Sequence, residues 1–383
     1  MRCNPPSQPT LAVACGGTGG HFYPGLTIAR EFVRQGGRAV LFIAGPHCDE
    51  QVRIATAGGL MAVPVRAVRV PPSRLLFPGL ALGVARAVWQ SCVMVRRHGV
   101  DVALVMGSFA GVPLGLAAVL ARKPLLIHEG NAVLGRANRM LSRWARVLAL
   151  SFPLENGEPT AAEQTLTGMP LREAVLAAGR RETAAAERRE ICNDLGLDSE
   201  RPILLVFGGS QGARAINDII ADALPAIAHD GDGVQLIHLT GTAGNAGPAD
   251  QYREAGVRAH VADFDSRIER LLQIADFCIC RAGGSTIAEL ALFGTPAIFI
   301  PLAAATDNHQ RANALVAVEA KGGRVLEERD CTAGRISELV ENWLDHPVER
   351  KAAGQNMRRI AHPNAAKDVV ALIFEQCARV GFR

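Results

Sequence analysis

No stretch of this 383-residue sequence approaches the roughly 18 uninterrupted apolar residues that a membrane-spanning helix needs. The best candidate, Leu75 to Val95, is broken by Pro78, Arg86 and Gln90, so the chain is expected to touch a membrane at most. Its opening residues, MRCNPPSQPT, lack the apolar core and small-residue cleavage site of a secretory signal, and a cytosolic location is expected. Neither sign of charge dominates: 41 basic residues against 37 acidic ones leave +4, too balanced for a nucleic-acid coat, and no nucleic-acid partner is expected. Nine cysteines contain no C-x-x-C pair, and an odd number cannot close completely into disulfides, which implies isolated, buried, reduced thiols. A G-K-[ST] phosphate loop and an H-E-x-x-H metal motif are both missing, which weakens an ATP-binding reading and a metal site.

What is present is an ordinary globular composition, 49% hydrophobic and 20% charged, in a chain too long for one core. Short apolar runs ending in glycine alternate with amphipathic segments: LAVACGG, AVLFIAG, VALVMG, PLLIHE and VLALS in the first half. The pattern restarts at Ile203 with ILLVFGG, VQLIHLTG, ADFCICRAGG and TPAIFIPL. Near-continuous apolar strands belong to parallel sheets covered by helices on both faces. The expected fold is therefore α/β, two Rossmann-like doubly wound domains facing across a cleft. The halves echo each other, LAVACGGTGG beside ILLVFGGSQG, as an old duplication would leave them. The boundary is placed at Gly168, giving domains 1–167 and 168–359, with a terminal helix over about 360–383 packing back on the first.

Chemistry concentrates at the strand ends. GGTGGH, Gly16 to His21, follows a strand and opens a helix, so its amides can approach a phosphate or diphosphate. Four glycines around Thr18 exceed what a tight turn requires, and the pattern departs from G-x-G-x-x-G because Phe22 takes the sixth place. His21 falls in the first helical turn, where an imidazole stays neutral and can accept a proton, or simply caps the helix. GGSQGA, Gly208 to Ala213, repeats the placement and adds Ser210 and Gln211 as donors. In CRAGGSTIAEL, Glu289 lies one turn beyond Ser285, where its carboxylate either accepts two ribose hydroxyls or is merely a helix charge.

TDNHQRANA brings Asp307, Asn308, His309, Gln310 and Asn313 together as groups that hydrogen-bond sugars. HEGNAVLGRANR places Glu129 and Asn131 just after a strand, where both are expected to face the cleft, and His128 has no partner spacing for a metal. Asp263-Phe264-Asp265 is formally D-x-D, but with Ser266 and Arg267 beside it a capped helix start is the better reading. RVPPSRLLFPGLALGVARAVWQ sets Leu75, Leu76, Phe77, Leu80 and Trp89 beside Arg69, Arg74 and Arg86. That composition suits an anionic leaflet, and equally a helix packed in the first domain's core.

In this order, GGTGGHFYPGL, HEGNAVLGRANR, GMPLR, GGSQGARAIN, CRAGGSTIAEL and DNHQRANA resemble the bacterial undecaprenyldiphospho-muramoylpentapeptide β-N-acetylglucosaminyltransferases of glycosyltransferase family 28, over most of the chain. The resemblance implies a GT-B fold, UDP-N-acetylglucosamine as donor and lipid I (undecaprenyl-pyrophosphoryl-MurNAc-pentapeptide) as acceptor, with lipid II as product in peptidoglycan synthesis. It implies Glu289 on the ribose and Arg172 and Ser210 on the diphosphate, with Gln211, Gly212 and Ser285 also binding substrate. Asn131, His309 and Gln310 neighbour the transferred sugar, while Thr18, Gly19 and Gly20 form an acceptor loop with His21 as catalytic base. No metal cofactor is implied. The expected location is the cytoplasmic face of the cell membrane, as a peripheral protein, with an anionic membrane surface and other cell-wall synthesis proteins as partners. The chain departs from the family pattern at Gly130 (usually Gln), Met169 (usually Asn), Gly107-Ser108-Phe109 (usually Gly-Gly-Tyr) and Asp265 (often apolar). A glycolipid-forming GT-B transferase and a UDP-N-acetylglucosamine epimerase are the alternatives on the same scaffold.

Overall fold

The computed structural model describes residues 8–65, 77–155, 160–208, 214–227, 233–241, 247–303, 305 and 308–381. The chain divides into two compact units, Met1–Arg172 with Asn364–Arg383, and Glu173–Pro363.

Unit 1 alternates strands and helices: β1 (Thr10–Gly16), α1 (Gly19–Arg34), β2 (Arg38–Ala44), α2 (Cys48–Ala57), β3 (Met61–Pro64), α3 (Phe77–Arg97), β4 (Val102–Val105), α4 (Val112–Leu120), β5 (Leu125–Glu129), α5 (Arg136–Ser142), β6 (Val147–Leu150) and β7 (Glu163–Leu166). The seven strands pair in parallel in the order β3-β2-β1-β4-β5-β6-β7. Alternate residues of β1 serve opposite faces, as a period of two dictates. Leu11, Val13 and Cys15 join Phe22, Ile28 and Phe32 of α1 in one core, while Ala12 and Ala14 join Leu114 of α4 and Leu141 of α5 in the other.

Unit 2 runs α6 (Glu173–Gly179), α7 (Ala185–Asp194), β8 (Ile203–Phe207), α8 (Arg214–Ile227), β9 (Gln235–Leu239), α9 (Gly247–Glu254), β10 (Ala259–Ala262), α10 (Ile268–Ile274), β11 (Phe277–Cys280), α11 (Gly284–Phe293), β12 (Ala297–Phe299), α12 (His309–Glu319), β13 (Gly323–Val325), α13 (Ala333–Asp345) and α14 (Pro347–Arg359). Its six parallel strands follow β10-β9-β8-β11-β12-β13, the order of the first six strands of unit 1. The last helix, α15 (Ala365–Gly381), belongs to unit 1: Val369, Val370 and Ile373 enter the core around Leu11, and Phe374 stacks on Phe32 at 4.6 Å. In each sheet the order reverses beside the first strand, between β1 and β4 and between β8 and β11. Open α/β sheets bind ligands at the carboxyl ends of the strands flanking such a point.

The division between units falls after Arg172, four residues beyond Gly168. Gly168 donates its amide to Leu150 at 3.0 Å and accepts from His128, and Met169 and Leu171 are buried. The segment 168–172 is therefore held by unit 1.

Candidate active site

In unit 1 the site begins where β1 ends. Gly17 adopts φ +85, a conformation that favours glycine, and Thr18 is extended (φ −97, ψ 163) before α1 starts at Gly19. The Thr18 carbonyl accepts the amides of His21 and Phe22, each at 3.2 Å. No side chain caps this helix start, so its first amides, including those of Gly19 and Gly20, are the donors that a polar ligand would meet. Helix α1 can lie this close to the sheet because residue 25 is glycine: a Cβ there would sit 2.7 Å from Cys15 Cβ.

His21 is half-buried, and its Nδ1 lies 2.8 Å from the Met106 carbonyl oxygen at the end of β4. A carbonyl only accepts, so Nδ1 carries the hydrogen. In the neutral ring Nε2 then holds the lone pair and is the basic nitrogen. Gly107 (φ +92) follows Met106, and a Cβ on it would come within 3.2 Å of His21 Cε1 and 3.5 Å of Asn138 Nδ2. Ser108 (φ +57, ψ 163) continues this turn in a region that L residues rarely enter, with its Oγ accepting the Ala110 amide at 3.2 Å.

Glu129 is the last residue of β5 and does not face outward as expected of a residue following the strand. It is 2% exposed, and its carboxylate accepts four bonds: the Asn131 amide (3.0 Å), Asn131 Nδ2 (3.1 Å), the Gly135 amide (2.9 Å) and Asn138 Nδ2 (2.8 Å). These bonds shape the loop 130–135 and fix the Asn131 side chain. Asn138 is the residue that sequence reasoning missed, although it stands inside HEGNAVLGRANR. It ties Glu129 and the His128 carbonyl to the surroundings of His21. His128 is itself buried, and desolvation lowers its pKa to about 4. Its Nε2–H donates to the Gly168 carbonyl at 3.2 Å.

The Arg172 guanidinium lies over the Tyr23 ring of α1, 5.6 Å from its centroid. The departures at Gly130 and Met169 are neighbours in space: a Cβ on Gly130 would sit 3.1 Å from Met169 Cε.

In unit 2, Ser210, Gln211 and Gly212 lie outside the described residues; β8 ends at Phe207 before them and α8 begins at Arg214 after them. Ser285 and Glu289, four apart, occupy one half-buried face of α11, which starts after the extended Gly283 (φ −67, ψ 147). Asp307 also lies outside the described residues, while Asn308 adopts φ +55 immediately before α12. His309 and Gln310 form the first turn of α12, and Gln310 Oε1 accepts the Leu302 amide at 3.0 Å.

Asn313 does not join the sugar-binding groups expected of its loop. It is fully buried, and its Nδ2 donates to the Ala282 carbonyl at 3.0 Å, tying α12 to the turn after β11. Asp265 Oδ1 accepts the Arg267 amide at 2.7 Å just ahead of α10, and Asp263 Oδ1 accepts from Thr240 Oγ1 at 3.3 Å. Asp265 thus serves a local turn, while Asp263 ties the segment after β10 to the residue after β9. Among the described residues no three His, Cys, Asp or Glu side chains group so as to hold a metal ion.

Two Rossmann-like units, one with an oriented imidazole at its switch point and the other with a carboxylate on the helix after its switch point, define a nucleotide-sugar transferase of the GT-B kind. Residues 11–149 match the glycosyltransferase family 28 N-terminal domain and residues 203–370 the family 28 C-terminal domain, and the chain belongs to glycosyltransferase family 28. A relative from Acidovorax sp. (strain JS42), called UDP-N-acetylglucosamine--N-acetylmuramyl-(pentapeptide) pyrophosphoryl-undecaprenol N-acetylglucosamine transferase, is 37% identical over 96% of this chain and 87% of its own. One of the same name from Hahella chejuensis is 32% identical over 97% of this chain and 99% of its own. The crystal structure of Acinetobacter baumannii MurG superposes with a TM-score of 0.77 at 26% identity, covering 96% of this chain and 99% of that one.

Proposed function

We propose that this chain moves N-acetylglucosamine from UDP-N-acetylglucosamine to the C4 hydroxyl of N-acetylmuramic acid in undecaprenyl-pyrophosphoryl-MurNAc-pentapeptide, with inversion from α to β. Family membership and the names of the two relatives support donor and acceptor. The observation that carries the chemistry is the 2.8 Å bond from His21 Nδ1–H to Met106 O, because it leaves Nε2 as the basic nitrogen. In this reading Nε2 takes the C4 hydroxyl proton as that oxygen attacks the anomeric carbon. The bond from C1 to the diphosphate oxygen breaks, and its electron pair leaves on UDP.

Glu289 and Ser285 are assigned to the ribose. Ser210, Gln211, Gly212 and Arg172 are assigned to the diphosphate, where amide donors and a cation stabilise the departing charge. Gln310, His309 and Asn131 are assigned to the transferred sugar, and Thr18, Gly19 and Gly20 to the acceptor. The reading gives no role to a metal.

Labelled donor incubated with lipid I and, separately, with diacylglycerol tests the assignment. Transfer to lipid I alone is expected, and His21→Ala should lower kcat by about 10²–10⁴ with donor KM nearly unchanged. Transfer to diacylglycerol, or a His21→Ala rate within tenfold of wild type, would overturn it.

Among the described residues no helix is long and apolar enough to cross a membrane. Residues 66–76 and the side chains of Phe77 and Leu80 lie outside those described. The rest of α3 supports docking on an anionic cytoplasmic membrane surface, because Leu82, Trp89 and Val93 are exposed alongside Arg86, Arg96 and Arg97.

A further inference from the structure

Strand β12 stops pairing at its carboxyl end, and the next residues of the chain are held by side chains instead. The last ladder bonds run from the Ile300 amide to Cys280 O and from the Leu326 amide to Phe299 O, both 2.9 Å. Past them, Arg281 takes over. It stands just beyond β11, 8% exposed; its Nη1 donates to the carbonyls of Ile300 (3.0 Å) and Pro301 (3.2 Å), and its Nη2 donates to Glu328 Oε1 (2.8 Å). The second oxygen of Glu328 accepts the Ala303 amide at 3.2 Å. Between these contacts, Gln310 Oε1 accepts the Leu302 amide at 3.0 Å.

Four consecutive residues, 300 to 303, are thus pinned by three side chains from three places: the turn after β11, the short 3-10 helix Glu328–Asp330, and the start of α12. The Arg281–Glu328 bond is charge-assisted at both ends, and the hydrogen bond from Arg281 holds the Glu328 carboxyl below its usual range, so the contact persists through neutral pH. Gln310 is constrained in two ways. Its carbonyl oxygen is committed to the Leu302 amide, which leaves the amide nitrogen as the group it can donate to a sugar oxygen. Its carbonyl oxygen is bonded to a backbone segment that Arg281 and Glu328 also hold.

We propose that Arg281 and Glu328 are positioning residues for the glycosyl half of the donor: they lock the 300–303 backbone on which Gln310 is aligned, and act on sugar binding without touching the nucleotide. This rests on the assignment of Gln310 to the transferred sugar. Neither residue stands out in the sequence as a ligand, since Arg281 reads as part of the glycine-rich turn and Glu328 as one charge among several in LEERD.

Calorimetric titration of wild type and Glu328→Gln with UDP and with UDP-N-acetylglucosamine tests the latch. A glutamine at 328 has one acceptor oxygen and cannot serve both Arg281 and the Ala303 amide. The ratio of Kd for UDP-N-acetylglucosamine to Kd for UDP should rise about tenfold in Glu328→Gln, with UDP binding within twofold of wild type, since small misplacements of a binding group cost that much or more. Glu328→Asp keeps both oxygens and should return the ratio toward wild type, whereas Arg281→Lys, which cannot fork between the Ile300 and Pro301 carbonyls and Glu328, should raise the ratio as Glu328→Gln does and provides the test if that variant does not fold. A purely structural role would weaken both ligands in parallel, so an unchanged ratio overturns the latch, whether affinity drops or not. The functional reading fails separately, if wild type transfers no N-acetylglucosamine to lipid I.

Discussion

Glu129 illustrates how a residue can be prominent in a motif and still serve structure, bracing its own loop and the start of α5. Four donors converge on its carboxylate. Replacing it with glutamine turns one acceptor oxygen into a donor facing at least one of those N–H groups. Hydrogen bonds to charged groups contribute roughly 1.5–3 kcal/mol each, so Glu129→Gln should destabilise the protein by about 2 kcal/mol in urea unfolding. Catalysis should suffer with it, because Asn138 links this carboxylate to the neighbourhood of His21; wild-type stability in the variant would mean that the four bonds are not made in solution. The sequence could not show this inward turn. Strand β5 is buried on both faces, so the alternation that tells inside from outside is erased there, and Glu129 reads like any polar residue at a strand's carboxyl end. Asn313 was misread for a related reason: a polar residue in a polar loop gives no sign that it is the one tied back to Ala282.

At the scale of elements, what was legible depends on burial. The apolar runs named in the sequence became β1, β2, β4, β5, β6, β8, β9, β11 and β12. The strands not recognised, β3, β7, β10 and β13, are the edges of the two sheets, only three or four residues long and half-exposed. Short, half-wet edge strands carry neither a continuous apolar run nor a clean alternation. The composition of helix α3 left open a membrane anchor or a core helix, and the structure shows one buried side and one exposed side. Ala87, Ser91 and Val95 are buried and the helix packs on α4, while Leu82, Arg86, Trp89, Val93 and Arg96 or Arg97 succeed one another at spacings of three or four along the exposed side. Removing two apolar anchors from that side leaves the buried side intact. Leu82→Ser with Trp89→Ser should therefore lower co-sedimentation with phosphatidylglycerol vesicles by about tenfold at unchanged melting temperature. Equal sedimentation of variant and wild type would remove α3 from the membrane-docking proposal.

For the whole molecule, the repeated βα pattern made two doubly wound units readable, because parallel sheets buried on both faces write themselves as apolar runs separated by glycine-rich turns. The division at Arg172 was not readable, since nothing in GMPLR, residues 168–172, marks that this segment keeps its bonds to unit 1. The same burial gives both units a shared response to acid. His128 lies in unit 1 and His238 in unit 2, and desolvation lowers each to about 4. His238 is neutral with both nitrogens used: Nε2–H donates to Asn217 Oδ1 at 3.0 Å, and Nδ1 accepts the Tyr252 hydroxyl at 2.6 Å. A second proton on either ring is therefore resisted in the native state and accepted near the ordinary value of about 6.5 in the unfolded chain. Between pH 6.5 and 4 the unfolded state binds more protons, so stability is complete above about 6.5 and is lost as pH falls through that window. Each imidazole contributes on the order of 3 kcal/mol to the loss. Scanning calorimetry from pH 7.5 to 4.5 should show the melting temperature dropping well before carboxylates titrate. In His238→Gln the response of unit 2 should flatten while that of unit 1 remains. A melting temperature constant down to pH 5 would mean that these two rings are not held neutral by the fold.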